Sequence, residues 1–364
     1  MTRSAHEPTG LGALMGRRGF LKRASHAGLA AAMFPYILRD WTDSAQAAVE
    51  IQDLDVSVNS PPVTPPSSTS GGSPVEPHFL SPLRYGLTIG ANPLVQVFGF
   101  SGGEPVAQYL TGTVGPDGAL PKRISGYQYQ DIVFYYQPIP NSVVNSWLSD
   151  SLLGKASAAS GQIVVQPFMS SSRSGLSFTN AFVKEIVFPE GDSTAGSPTA
   201  LRITLAVQRT NPSGGDFTNV PMTHIDPFGS LRKGVFSINI DGMILNDVSR
   251  IEPLTYSTTL IPAAQGGGYQ GAVPRSLSTL RIQLPEIKAF DLYRWHNDFV
   301  MKGLNGDAHE RTGTIRWMSS QDPSTPILTL KLFGLGILSV VRLPSKPGHV
   351  QAEMYCQKLV PEFF

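Results

Sequence analysis

With 364 residues and a formal net charge of +1, the chain has room for two ordinary domains, each with its own core, and gives no bulk electrostatic reason to bind nucleic acid. Charged side chains make up only 15% of it, while Gly and Pro supply 36 and 30 residues, a mixture that favours short strands and many turns. The lone Cys356 excludes an intramolecular disulfide and any multi-cysteine metal site, and its apolar surroundings from Ala352 to Val360 point to a buried, inert thiol.

Residues 16–22 read Gly-Arg-Arg-Gly-Phe-Leu-Lys, followed by the mildly apolar Ala27 to Leu38 and then Ala45-Gln-Ala47. The pattern resembles a twin-arginine signal peptide over residues 1–47, with Arg17, Arg18, Phe20, Leu21 and Lys22 as the export motif and Ala45 and Ala47 as the cleavage region. A basic amino-terminal arm is the alternative. The apolar stretch is too short for a permanent membrane span and is broken by Pro35. The resemblance implies the twin-arginine translocation machinery as a partner and export across a bacterial inner membrane, to the periplasm, the cell surface or beyond. Residues 48–82 include Pro61-Pro62, Pro65-Pro66 and Gly71-Gly72 with few apolar anchors, so burial cannot offset their ordering entropy and a flexible linker is expected.

The first folded domain is expected over residues 83–210. Leu94 to Phe100 is an apolar run, and Tyr127 to Tyr136 alternates over its whole length, as a strand does, before Pro138 and Pro140 stop it. Asn141 offers an N-cap, and Val144, Trp147, Leu148 and Leu152 then share one helical stripe. Strands are predicted at Gly161 to Phe168, Phe178 to Phe188 and Leu201 to Val207.

A polar, turn-rich connection, residues 211–233, leads to a second domain over residues 234–364. Phe236 to Ile240 reads as a strand that ends at Asp241-Gly242, a hairpin-turn signal from which Met243 to Ile251 would return. Gly266, Gly267 and Gly268 open a glycine-rich excursion that continues to Gly271. The segment from Thr279 to Leu284 is a strand, Lys288 to Met301 an amphipathic helix, and Thr312 to Met318 and Ile327 to Leu343 are strands again.

Strand, helix and paired strands thus recur. Trp147 and Asp150 in one helix answer to Trp295 and Asp298 in the other, each 148 positions apart, and Gly161 answers to Gly313 at 152. The near-constant offsets point to a duplicated domain.

The Asp241-Gly242 turn, the helix Asp291-Leu-Tyr-Arg-Trp-His-Asn-Asp298 and the run Glu310-Arg311-Thr312-Gly313-Thr314-Ile315 together resemble the tail tube proteins of contractile phages and related injection systems. The match spans about 125 residues of the second domain. It is weaker in the first, which has Ala159-Ser160-Gly161 where the second has Arg311-Thr312-Gly313. The resemblance implies a mainly β fold, a β-barrel or sandwich with one flanking helix per module, whose strands join those of neighbouring copies in a ring around a lumen. Six single modules make such a ring in the family, so two tandem modules imply three chains and a pseudo-hexameric ring. It further implies self-association, with sheath-like or baseplate-like proteins as further partners. Trp147, Asp150, Trp295, Asp298, Arg311, Gly313 and the glycines 266–268 become core or assembly candidates, the glycine-rich excursion offering a contact to the next ring.

Reactive constellations are not in evidence. His309-Glu310 lacks the second histidine four residues on that a zinc-protease helix needs, and the glycine run lacks the lysine of a phosphate loop. Asp291 and Asp298 read as solvated helix charges. No catalytic residue, cofactor or metal site is therefore assigned, and the chain reads as a structural subunit rather than an enzyme. The alternative is a secreted two-domain β-rich enzyme or ligand-binding protein.

Overall fold

The computed structural model describes residues 83–155, 157–167, 173–213, 231–263 and 268–364. The export motif, its cleavage region, the Pro/Ser-rich stretch, Gly266 and Gly267 lie outside the described residues.

In the amino-terminal half the strands are β1 (Leu83–Ile89), β2 (Val95–Val97), β3 (Phe100–Ser101), β4 (Pro105–Thr111), β5 (Lys122–Tyr129) and β6 (Ile132–Tyr136). Helix α1 (Val143–Leu152) follows, then β7 (Ala159–Pro167), β8 (Ser174–Phe188), β9 (Gly191–Asp192), β10 (Leu201–Ala206) and β11 (Arg209–Ser213). The carboxy-terminal half holds β12 (Leu231–Ile240), β13 (Arg250–Ile251), β14 (Leu254–Pro262), β15 (Tyr269–Leu277), β16 (Leu280–Pro285), α2 (Phe290–His296), β17 (Arg311–Ser319), β18 (Pro326–Arg342) and β19 (His349–Phe363).

The fold is mainly β, and all sheet pairings are antiparallel. One half orders its strands β1-β7-β8-β10-β6-β3 and the other β12-β17-β18-β19-β16-β13. These are the same order, with the helix inserted at the same point, between β6 and β7 or between β16 and β17. Registers agree as well. Ile89 faces Gly161 and Ile240 faces Gly313. A bulge separates Ala159 from Gly161, and another separates Arg311 from Gly313. Further along, Lys184 is the extra residue between Val183 and Glu185 against β10, and Leu338 is the extra residue between Ile337 and Ser339 against β19. In the second half β9 closes the gap on the far side: it pairs with β13, and Gly191 lies under the Phe236 ring of β12. The result is a nearly closed, barrel-like sheet.

Alternating burial drives each wall. Ile132, Phe134 and Tyr136 point inward from β6, as do Leu280, Ile282 and Leu284 from β16. They join one continuous apolar cluster that runs through both halves.

Several sequence expectations change. The alternating run at Tyr127–Tyr136 is two strands, because the chain turns at Gln130–Asp131 from the exposed β5 into the buried β6. The apolar run at 94–100 is likewise split between β2 and β3. The N-cap of α1 is Ser142, whose Oγ accepts from the Val144 N–H, while Asn141 takes a left-handed φ of 59° one residue earlier. The helix predicted over 288–301 comprises a 3₁₀ turn, α2 and a π turn over Asn297–Met301. Asp241-Gly242 does turn, with Gly242 at φ 75°, but it does not make a hairpin: β12 pairs with the distant β17.

Candidate assembly surface

Sequence-matched residues converge at one end of the second half. The Asp241-Gly242 turn is clasped from β17, with the Arg311 guanidinium donating to the Asp241 carbonyl and the Thr312 hydroxyl to its carboxylate. Arg311 also lies over the Trp295 ring, 5.3 Å from its centroid. Trp295 itself is buried against Phe299. An open cleft of about 540 Å³ runs between these groups, with Asp298 and Glu310 on its walls. Asp298 is paired with Lys302, which holds its carboxyl below the usual carboxylate range. Asp291 is paired with Arg294. Among the described residues no group of three or more His, Cys, Asp and Glu could hold a metal ion.

The first half repeats the place but not the chemistry. Trp147 is buried and donates its indole N–H to the Ser157 carbonyl. Ala159 stands where Arg311 does, so Trp147 has no cation over it from that position, and Asp150 is exposed. Gly161 and Gly313 share one steric reason. A Cβ would stand 2.0 Å from the Thr88 carbonyl oxygen at Gly161 and 2.7 Å from that of Asn239 at Gly313. Gly268 has φ 89° and packs on the Gln208 side chain of the same chain.

Two hairpins that sequence reasoning did not identify form the larger surface. Hairpin β14–β15 leaves its own half and adds to the other: β14 pairs with β8 from Leu254↔Phe188 to Ser257↔Glu185. Thr258 Oγ1 donates to the Val183 carbonyl at the β8 bulge, at 2.7 Å, and the Tyr256 hydroxyl to the Ser151 carbonyl of α1, at 3.0 Å. Burial pushes the Tyr256 hydroxyl up to about 12.

Hairpin β4–β5 holds the corresponding place in the first half but pairs only with itself. Its large side chains face solvent, with Tyr109 59%, Leu110 67%, Ile124 76% and Tyr127 66% exposed. An isolated two-stranded hairpin is marginal in water; Tyr109, Ile124 and Tyr127 share one of its faces and Leu110 lies on the other, and exposed apolar area of this kind marks an interaction surface. The outer edge of β18 from Gly336 to Arg342 likewise has no strand beside it: among the described residues β17 stops pairing at Leu335 and only β19 continues alongside, although Gly336 and Ile337 are buried and Arg342 pairs with Glu286.

No protein-family profile and no curated protein matches the sequence. Among solved structures, the chain is similar to proteins of an extracellular contractile injection system. For its sheath–tube complex in the extended state the identity is 15%, the match covers 36% of this chain and 88% of that one, and the TM-score is 0.27. For the sheath/tube terminator of the same system the figures are 15%, 40%, 99% and 0.29. The tube-terminating cap of an anti-feeding prophage gives 16%, 40%, 95% and 0.29.

Proposed function

We propose that this chain is a structural subunit, not an enzyme, that arose by tandem duplication of a tail-tube-like module, residues 83–210 and 234–364, and assembles with copies of itself into rings or a tube. The observation that carries the reading is the pair of unsatisfied sheet elements, the exposed hairpin β4–β5 and the unpaired stretch of β18. An unpaired edge with apolar side chains beside it is a liability that a stable fold covers. Here a hairpin and an edge lie on one chain at non-equivalent places, so contacts are heterologous and run head to tail, closing into a ring when the rotation per step allows.

On this reading three chains give a pseudo-hexameric ring, residues 1–47 direct export through the twin-arginine machinery, residues 48–82 are the linker, and sheath-like or baseplate-like proteins are outer partners. The test is the mass of the purified protein lacking residues 1–47, by light scattering and negative-stain microscopy. Trimers or larger rings are expected, and a monomer at every concentration would refute self-assembly.

A further inference from the structure

We infer that hairpin β4–β5 of one chain adds to the unpaired edge of β18 in a second copy, in the register Glu104↔Val341, Pro105↔Val340 and Val106↔Ser339. The inference rests on the self-assembly reading and specifies its joint, and the chain carries its own template for it.

The template is the internal joint between β14 and β8. Gly161 corresponds to Gly313, and their partners are Phe178 and Leu332, so a residue of β8 corresponds to the residue of β18 that lies 154 positions later. The bulges check this independently, because Lys184 and Leu338 stand at that same spacing. Phe134 corresponds to Ile282, with Phe100 and Ile251 beside them, so a residue of β4 corresponds to the residue of β14 that lies 151 positions later. The hairpins' own registers agree at their base, where Pro105 faces Tyr129 as Tyr256 faces Leu277, and part further out: β4–β5 shifts between Gln108 and Tyr109, two residues later than the equivalent of the β14–β15 shift between Ser257 and Thr258. Carrying Thr255↔Val187 through Ser257↔Glu185 across these correspondences gives the stated pairs.

The chemistry at the new joint fits. Gln130 donates to the Glu104 carbonyl, so residues 104 and 106 turn their backbone groups toward β5 and Pro105 turns its own outward, while the buried Gly103, whose carbonyl accepts from Thr210 Oγ1 of the same chain, ends the free edge. Pro105 lacks an N–H, so its outward carbonyl accepts from Val340 but returns no bond. Proline is tolerated at such an edge and discourages promiscuous pairing. On the receiving strand Val340 is half-buried and Val341 48% exposed, and Val106 on the arriving strand is 46% exposed. By contrast Ile186 and Phe188, already covered by β14 in the internal joint, are fully buried.

Cysteine coupling tests the register. In a Cys356→Ser background, chains carrying Val106→Cys are mixed with chains carrying Ser339→Cys and oxidised, and Glu104→Cys is likewise mixed with Val341→Cys. Both matched pairs occupy non-hydrogen-bonded positions, where Cα atoms are about 4.5 Å apart and within disulfide reach. Each mixture is expected to yield a covalent dimer, at least about tenfold faster than the diagonal mixtures 106 with 341 and 104 with 339, whose separations are about 7–8 Å. Ser257→Cys with Glu185→Cys on one chain is the control, closing within the chain and reporting an intact fold. Control closure and multimers by light scattering without 106–339 or 104–341 coupling would overturn the joint and leave self-assembly standing. Diagonal pairs coupling as fast as matched ones would overturn the register. Control closure in a protein that stays monomeric would overturn both readings.

Discussion

Tyr136 shows how one polar side chain is kept inside the first half. Its hydroxyl donates to Asn145 Oδ1 at 2.6 Å and accepts from the Ile139 N–H at 3.3 Å, and Asn145 Nδ2 donates to the Ile139 carbonyl at 2.7 Å. The ring tips the end of β6 into the first turn of α1, so strand, turn and helix share one network. Tyr136→Phe leaves Asn145 and the Ile139 N–H without that oxygen, and unfolding in urea is expected to become easier by about 1–3 kcal/mol. Burial pushes the Tyr136 hydroxyl up to about 12 against an ordinary 10.0. The folded state then holds the proton more tightly than the unfolded state, so this stabilisation is whole below pH 10 and is lost as pH rises through 12. Wild type should therefore lose about 2–3 kcal/mol more than Tyr136→Phe between pH 10 and 12. Parallel denaturation curves for the two proteins would refute it. Cys356 is the quieter case: burial raises its thiol, in keeping with the inert role its apolar neighbours suggested.

At the scale of elements, the two sheets exchange bulk across one rung of the ladder. Phe182 faces Ala206 in the first half, and at the corresponding rung Gly336 faces Tyr355. Each rung holds one aromatic ring and one small residue, on opposite strands. A Cβ on Gly336 would come within 2.1 Å of the Tyr355 ring, whose hydroxyl is bonded to Glu310 at 2.6 Å. Gly336→Ala is expected to cost about 1–3 kcal/mol by overpacking, and Tyr355→Ala should cost more through its cavity and lost bond. The double mutant should be more stable than the two single costs predict, by about 1 kcal/mol in a thermodynamic cycle. Strict additivity would show that the clash relaxes without cost. Much at this scale was legible in the sequence, because buried strands alternate and Gly161 and Gly313 mark a bulge no side chain can enter. The helix start was displaced by one residue because Asn141 and Ser142 are both good caps, and Asn is among the few residues that tolerate the left-handed turn before one. Hairpin β4–β5 escaped notice for a plain reason: both of its faces are exposed, so burial imposes no period of two. Asp241-Gly242 misled because the local turn signal is real, while the partner strand lies some 70 residues away.

At the scale of the whole molecule, one hairpin–edge joint is made inside the chain, and the second, as proposed, would join one chain to another. The two joints should respond differently to the same insult. Leu110→Asp with Ile124→Asp places charge on the exposed hairpin, where neither side chain belongs to the core. Unfolding free energy at a dilution that favours monomers should move by no more than about 0.5 kcal/mol per site, as for other surface substitutions. Assembly should weaken, because the two carboxylates, one directly across from Arg123, replace apolar area with groups that must be desolvated when the hairpin docks. Substituting Thr258→Val at the internal joint removes the bond to the Val183 carbonyl and should do the reverse, lowering stability by about 1 kcal/mol in the monomer. Sedimentation velocity across a concentration series, run beside denaturant melts, separates the two effects. A double aspartate variant that still forms rings at wild-type concentrations would place the intermolecular contact elsewhere on the surface.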